Sequence, residues 1–232
     1  RASSDQMLSQ LDYLDLLSNN AGVMACPLDR VGPRWESQFG INHMGHFALT
    51  QGLLPLLKKA ETPRVVTLSS IAHQRGGIDW DDIQFENRKY QKWESYAQAK
   101  SANALFANAL SRRMSDFGGR AFSAHPGGIF TPLQRHLPVE EQVELGWLNP
   151  DGTPTELAKH GFKSTTQGCT TTLWAATSPM LNDKPGVYCE DCNIAAVLTE
   201  ESPPFSGAAP HICDDKAAEH LWDVSEALLA EV

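Results

Sequence analysis

The apolar positions of this chain fall into short strand-like runs separated by longer stretches with helical spacing. Residues 11–17 form a largely apolar run ending in Ser18-Asn19-Asn20-Ala21-Gly22, the pattern of a buried strand that delivers a polar turn. From about 35 to 59 the apolar side chains recur at helical intervals. Phe39, Met44, Phe47, Leu49, Leu53, Leu54 and Leu57 share one broad face, and Pro55 would kink or end the helix. Arg64-Val65-Val66-Thr67-Leu68 is a β-branched strand closing on Ser69-Ser70. A polar connection over 71–95 leads to a helix at 96–114, which Gly118-Gly119 stops. A short strand at 120–124 runs into His125-Pro126-Gly127-Gly128.

Residues 130–163 carry four prolines and no clear period. A helix is expected over 166–177, a last strand at 186–189 and an amphipathic terminal helix at 214–229. Strands separated by helices predict an α/β fold: a doubly wound parallel sheet with helices on both faces. One domain over 1–232 is the expectation, with 130–165 as an excursion from it.

Composition narrows the function classes. With 41% hydrophobic and 20% charged residues, the chain is an ordinary globular sequence, long enough to bury one α/β core. Its formal charge of −9 argues against a nucleic-acid or anionic-membrane partner. No apolar run is long enough for a membrane span and no signal-peptide pattern is visible, so the expected location is cytoplasmic. Five scattered cysteines suggest a reducing compartment. Cys189 and Cys192 form a CxxC, but no second pair completes a tetrahedral zinc site, and a strand-like entry precedes it. They are expected to be two cysteines at a strand end, with no metal.

The candidate chemistry centres on Tyr96-Ala97-Gln98-Ala99-Lys100. Four residues at about 3.6 per turn bring the phenol and the ammonium onto one helix face. A positive charge near the phenol favours its ionised form, so Lys100 is expected to lower the tyrosine's pKa from about 10 and make it a proton donor or acceptor. Taken alone, the pair is equally the pattern of a packed ring and a solvated charge. Ser70 ends a strand, where the carboxyl edge of a parallel sheet normally holds a site, and its hydroxyl both donates and accepts. It is also a good helix N-cap. Asn42 sits in mid-helix, where asparagine is a poor helix former.

Taken in order, Asn19-Asn20-Ala21-Gly22, Asn42 with Gly45, Ser69-Ser70, Tyr96 with Lys100, and Pro126-Gly127 resemble the short-chain dehydrogenase/reductase family. Asn42-His43-Met44-Gly45-His46-Phe47, Ser70-Ile71-Ala72-His73 and Leu221-Trp222 are similar to its retinol-dehydrogenase-like branch. The resemblance implies a Rossmann-like fold and an NAD- or NADP-dependent oxidoreductase interconverting an alcohol and a carbonyl. It implies Tyr96 as general acid or base and Ser70 as the group bonded to the substrate oxygen. Lys100 would tune Tyr96 and bind the nicotinamide ribose, and Asn42 would anchor a water leading toward Lys100. Asn20, Ala21 and Gly22 would line the adenosine side, with Pro126, Gly127, Ile129 and Thr131 along the nicotinamide. A homodimer is a further implied assembly.

The family's Gly-rich phosphate loop stands about 70–90 residues before Asn-Asn-Ala-Gly, at the helix N-terminus after the first strand. Only 18 residues precede Asn19, and the first residue is Arg1. The first strands and that loop are therefore expected to be absent from a partial sheet, the sequence to begin inside a longer product, and these 232 residues to bind dinucleotide poorly and be marginally stable. Two other readings stay open: a non-catalytic interaction module of the same fold, and a CxxC metal or redox protein. Trp80, Phe85, Tyr90, Trp93 and Trp147 flank the candidate site in sequence and would suit an apolar substrate, or merely anchor long loops. His73, His125 and His136 are expected to be structural or solvated.

Overall fold

Alternation along the strand at 64–68 sends Val65 into one apolar cluster and Val66 into another, so the sheet must be covered on both faces. The computed structural model describes residues 2–232 and shows that arrangement. In chain order come α1 (Ala2–Gln10), β1 (Leu16–Asn19), β2 (Arg30–Val31), β3 (Trp35–Glu36), α2 (Ser37–Phe39) and α3 (Gly45–Leu57). There follow β4 (Arg64–Leu68), α4 (Lys92–Met114), β5 (Arg120–His125), β6 (Gly128–Ile129), α5 (Val139–Glu144) and α6 (Glu156–Gly161). Then come β7 (Phe162–Lys163), α7 (Thr165–Gly168), α8 (Thr170–Thr177), β8 (Tyr188–Glu190), β9 (Asn193–Ile194) and α9 (Asp215–Ala230).

The main sheet has the order β1-β4-β5-β8-β9. Its first four strands are parallel, and β9 returns antiparallel beside β8. Phe39, Phe47, Phe106, Leu110 and Trp222 bring the α2–α3 segment, α4 and α9 together over one face. Ala175 of α8 and Leu181 cover the other, against Val66, Phe122 and Cys189. Among the described residues, no helix is long and apolar enough to cross a membrane.

Three sequence expectations are corrected. The strand expected at 11–17 runs from Leu16 to Asn19, because its ladder is set by β4, with Leu16 opposite Arg64 and Asn19 opposite Thr67. Ser18 therefore continues the strand, and β1 lies at a sheet edge with Leu16 40% exposed. The helix expected at 166–177 breaks at Cys169 into α7 and α8. The stretch 130–163 is built, not irregular. Thr131 and Gln134 form a capping box on a 3₁₀ turn, Thr155 caps α6, and β7 returns to pair with β6.

The helix expected from about 35 to 59 runs from Ser37 to Leu57, because Trp35 and Glu36 pair with β2 as β3, and it has one change inside it. Gly40–Met44 forms a π-helical turn between α2 and α3, at the asparagine that looked out of place. Such turns widen the helix by one residue and re-aim the side chains within it. Pro55 is accommodated in the last turn of α3.

Candidate active site

The carboxyl ends of β1, β4 and β5 open onto a cleft of about 1130 Å³. Asn20, Ala21, Gly22, Ser70, Tyr96, Lys100, Pro126, Gly127, Ile129 and Thr131, all named from sequence, line it. Asn42 stands behind the wall. Its side chain is fully buried, accepting from the Val23 amide at 2.8 Å and donating to the Val23 carbonyl at 2.9 Å. Gln38, one turn earlier, accepts from the Ala25 amide at 2.8 Å. The helix thus pins the loop after β1 at alternate residues. The Asn42 side chain acts here as a backbone clamp, with both polar ends occupied.

The serine pair divides its work. The Ser69 hydroxyl donates to the Lys100 carbonyl at 2.7 Å and is buried. Ser70 is half-buried, caps the following 3₁₀ turn by accepting from the Ala72 amide at 3.2 Å, and faces the cleft. Both sequence readings of Ser70, cap and site residue, fit the same side chain.

Tyr96 and Lys100 share the buried face of α4. Burial pushes the Tyr96 phenol up to about 12, against the opposing pull of a hydrogen bond with Ser70. Burial also holds the Lys100 ammonium down at about 8. The spacing predicts a phenol acidified by its lysine; the geometry gives a different balance. Lys100 Nζ donates to the Leu68 carbonyl at 2.9 Å and sits 5.6 Å from the centroid of the Tyr96 ring. Its charge is aimed at the strand end, so desolvation decides both groups.

Of the aromatics, Trp93 and Trp147 line the cleft; Trp80, Phe85 and Tyr90 do not. Trp80 lies against His220, and Phe85 against Tyr90. Trp93 meets Tyr96 and Trp147 edge-on at 6.2 and 6.4 Å, with Met24, Leu133 and Leu137 in the same cluster. This apolar wall joins the first turn of α4 to the 130–161 excursion. Single-chain periodicity could not reveal it, because its two tryptophans lie far apart in sequence.

His73 is buried and structural: its Nδ1 bonds the Ser70 carbonyl at 2.7 Å and its Nε2 accepts from the Ala209 amide at 3.0 Å. His125 lines the cleft, and His136 is exposed. Cys189 is buried in β8, whereas Cys192 is exposed in the turn to β9, where Asp191 and Cys192 have φ of 47° and 55°. Both thiols are free, and no cluster of three or more metal-capable side chains occurs among the described residues.

Two glycines of the cleft lining leave the backbone open to close approach. Gly22 and Gly127 offer bare backbone on two sides of the cleft; a Cβ at 22 would lie 3.0 Å from Asn42 Oδ1, and Gly127 has φ +94°. Ligands of open α/β sheets bind in this crevice, beyond the carboxyl ends of the strands.

Residues 1–82 match the family model described as short chain dehydrogenase. A short-chain dehydrogenase/reductase of Penicillium roqueforti is 37% identical over 233 residues, covering 99% of this chain and 66% of the relative. Human retinol dehydrogenase 14 is 33% identical over 234 residues, covering 99% and 62%. A crystal structure of an uncharacterised protein from Mycobacterium paratuberculosis aligns with TM-score 0.68 and 32% identity, covering 98% of this chain and 71% of that one. The chain belongs to the short-chain dehydrogenase/reductase family. It spans about two thirds of the length of the curated relatives it matches, and its likeness to retinol dehydrogenase 14 agrees with the retinol-dehydrogenase-like branch expected from the sequence.

Proposed function

We propose that the protein is an NAD(P)-dependent oxidoreductase that interconverts an alcohol and a carbonyl, with Tyr96 as its proton-transfer group. The observation that supports this reading is the pairing of the Tyr96 phenol with the Ser70 hydroxyl inside the strand-end cleft, with Lys100 buried one helical turn along. A bound nicotinamide would supply the hydride acceptor or donor. The chain's own part is to hold and protonate oxygen. Ser70 positions the substrate oxygen, and Tyr96 gives it a proton as the carbonyl is reduced or takes one as the alcohol is oxidised. Asn20, Ala21 and Gly22 on one side, and Pro126, Gly127, Ile129 and Thr131 on the other, would hold the dinucleotide. The wall of Trp93, Trp147 and Leu133 excludes water from the reacting oxygen and favours an apolar substrate body.

Tyr96→Phe, made in the full-length protein, tests the assignment. Steady-state turnover should fall roughly 10²–10⁴-fold, while dinucleotide affinity measured by calorimetry changes little. Near-normal rates would remove Tyr96 from the chemistry.

A further inference from the structure

Six charged side chains line the cleft: Arg75, Lys100, Arg135 and Lys163 against Glu190 and Asp191. This is a local positive excess in a chain of formal charge −9. Most of these charges are engaged. Lys163 pairs with Asp191, Glu190 accepts from the Gly207 amide at 2.7 Å, and Lys100 is directed at Leu68. Arg75 and Arg135 are not. Among the described residues neither forms an ion pair. Arg135 donates to the Pro132 carbonyl at 3.1 Å, and Arg75 lies over the Trp93 ring, 5.2 Å from its centroid.

That indole is fixed. Trp93 Nε1 donates to Glu141 Oε1 at 3.0 Å, and the same carboxylate pairs with Lys92, so it is neutralised without reaching Arg75. Stacking on a fixed ring holds a guanidinium in one plane while leaving its N–H edge free. Arg75 also follows Ser70 on the same 3₁₀ turn, which places it with the aromatic wall beside Tyr96.

We infer that the cleft takes a substrate whose apolar body lies along Trp93 and Trp147 and whose far end carries a carboxylate, gripped by Arg75 and Arg135. A planar guanidinium fork matches a carboxylate in a bidentate hydrogen bond, and its charge steers an anion into an otherwise acidic protein. The inference rests on the oxidoreductase reading for what happens at the other end of that substrate, and it names the substrate class.

The test reads binding alone, so it does not depend on turnover. Decanoate and decanamide are titrated into the protein by calorimetry. Decanoate should bind about tenfold more tightly. Arg75→Gln should abolish that preference and leave the decanamide affinity unchanged, Arg75→Lys should retain part of it, and Arg34→Gln, outside the cleft, should leave it intact. Equal affinity of the two probes overturns the inference, as does a preference that survives Arg75→Gln. So does an Arg75→Gln variant whose main loss is NADPH affinity, since the guanidinium then serves the dinucleotide. Inactivity of the enzyme toward every alcohol and carbonyl tried, with the decanoate preference present, would sink the proposed function and leave the anion site standing.

Discussion

Lys100 directs its ammonium at the carbonyl oxygen of Leu68, 2.9 Å away, and not at the phenol of Tyr96 one turn back on the same helix. The i, i+4 spacing brings both side chains to one buried face, but the strand end of β4 supplies the acceptor. The charge is consequently held in a site that solvates it with few partners, and burial dominates its acidity.

A pH signature in stability follows. Lys100 is held at about 8 in the folded chain, against 10.5 ordinarily. Between those values the unfolded chain binds more protons than the folded one, so stability rises with pH across that window and the full penalty applies below it. Tyr96 acts oppositely. Its pKa is raised from 10.0 to about 12, so its contribution is complete below 10.0 and is lost as pH rises toward 12. Lys100→Met should therefore be more stable than the parent near pH 7 by about 1–3 kcal/mol, and the advantage should shrink steadily toward pH 10. Urea unfolding at several pH values measures it; a constant difference would contradict a buried, depressed ammonium.

Buried histidines contribute to the acid side. Burial holds His43 at about 3 and His46, His73 and His125 at about 4, against 6.5 ordinarily. The unfolded chain takes up these protons below 6.5 while the folded chain does not until about 4. Stability is thus complete above that window and is lost on descending through it. Each group contributes about 1.4 kcal/mol per pH unit there. His43, whose Nε2 pairs with Ser225 at 2.8 Å, gives the cleanest variant. His43→Gln should reduce the slope of unfolding free energy between pH 6 and 5 by about one proton's worth. An unchanged slope would mean that His43 titrates normally.

The Asn42 clamp makes a separate prediction. Asn42→Ala leaves the buried Val23 amide and carbonyl without partners, which should cost about 2–4 kcal/mol for the two groups together. Asn42→Asp keeps an acceptor for the amide but sets a carboxylate against the Val23 carbonyl, so it should be no better tolerated. Chemical denaturation gives the first quantity. The second readout, in the full-length protein, is dinucleotide affinity, which should fall in both variants because the loop after β1 is held less firmly. A stable Asn42→Ala protein would show that the π-helical turn, not the side chain, fixes that loop.

How much of this was legible in the sequence depends on how local each signal is. The strands at 64–68 and 120–125 and the helix of Tyr96 declare themselves by period and composition. Every residue carried over to the cleft from the family motifs lines it, except Asn42, which braces it. The π-helical turn left a trace, an asparagine where a helix does not favour one. The β2–β3 pair and α1 left none that was read. Nor could the direction of the Lys100 ammonium be seen, because helical spacing fixes a face and not an acceptor. Arg75 was invisible for a similar reason: its importance comes from Trp93 beneath it and from its forming no ion pair among the described residues, both products of tertiary packing.

The neck of the 130–161 excursion offers the last test. Gly128 and Ile129 pair in parallel with Phe162 and Lys163, and this two-residue ladder closes a segment of more than thirty residues. A Cβ at Gly128 would lie 2.9 Å from two ring carbons of Phe162. That ring is itself held, 4.7 Å from Phe130 and 5.6 Å from Trp147 between centroids, so it cannot simply turn aside. Gly128→Ala should therefore separate β6 from β7 and loosen the excursion while leaving the five-stranded sheet intact. Limited proteolysis should show accelerated cleavage within 130–161. Hydrogen exchange should show lost protection at 129–163, with β4 and β5 unaffected. Protection lost uniformly would mean that the excursion is part of the folding core; protection retained would mean that the neck is not what closes it.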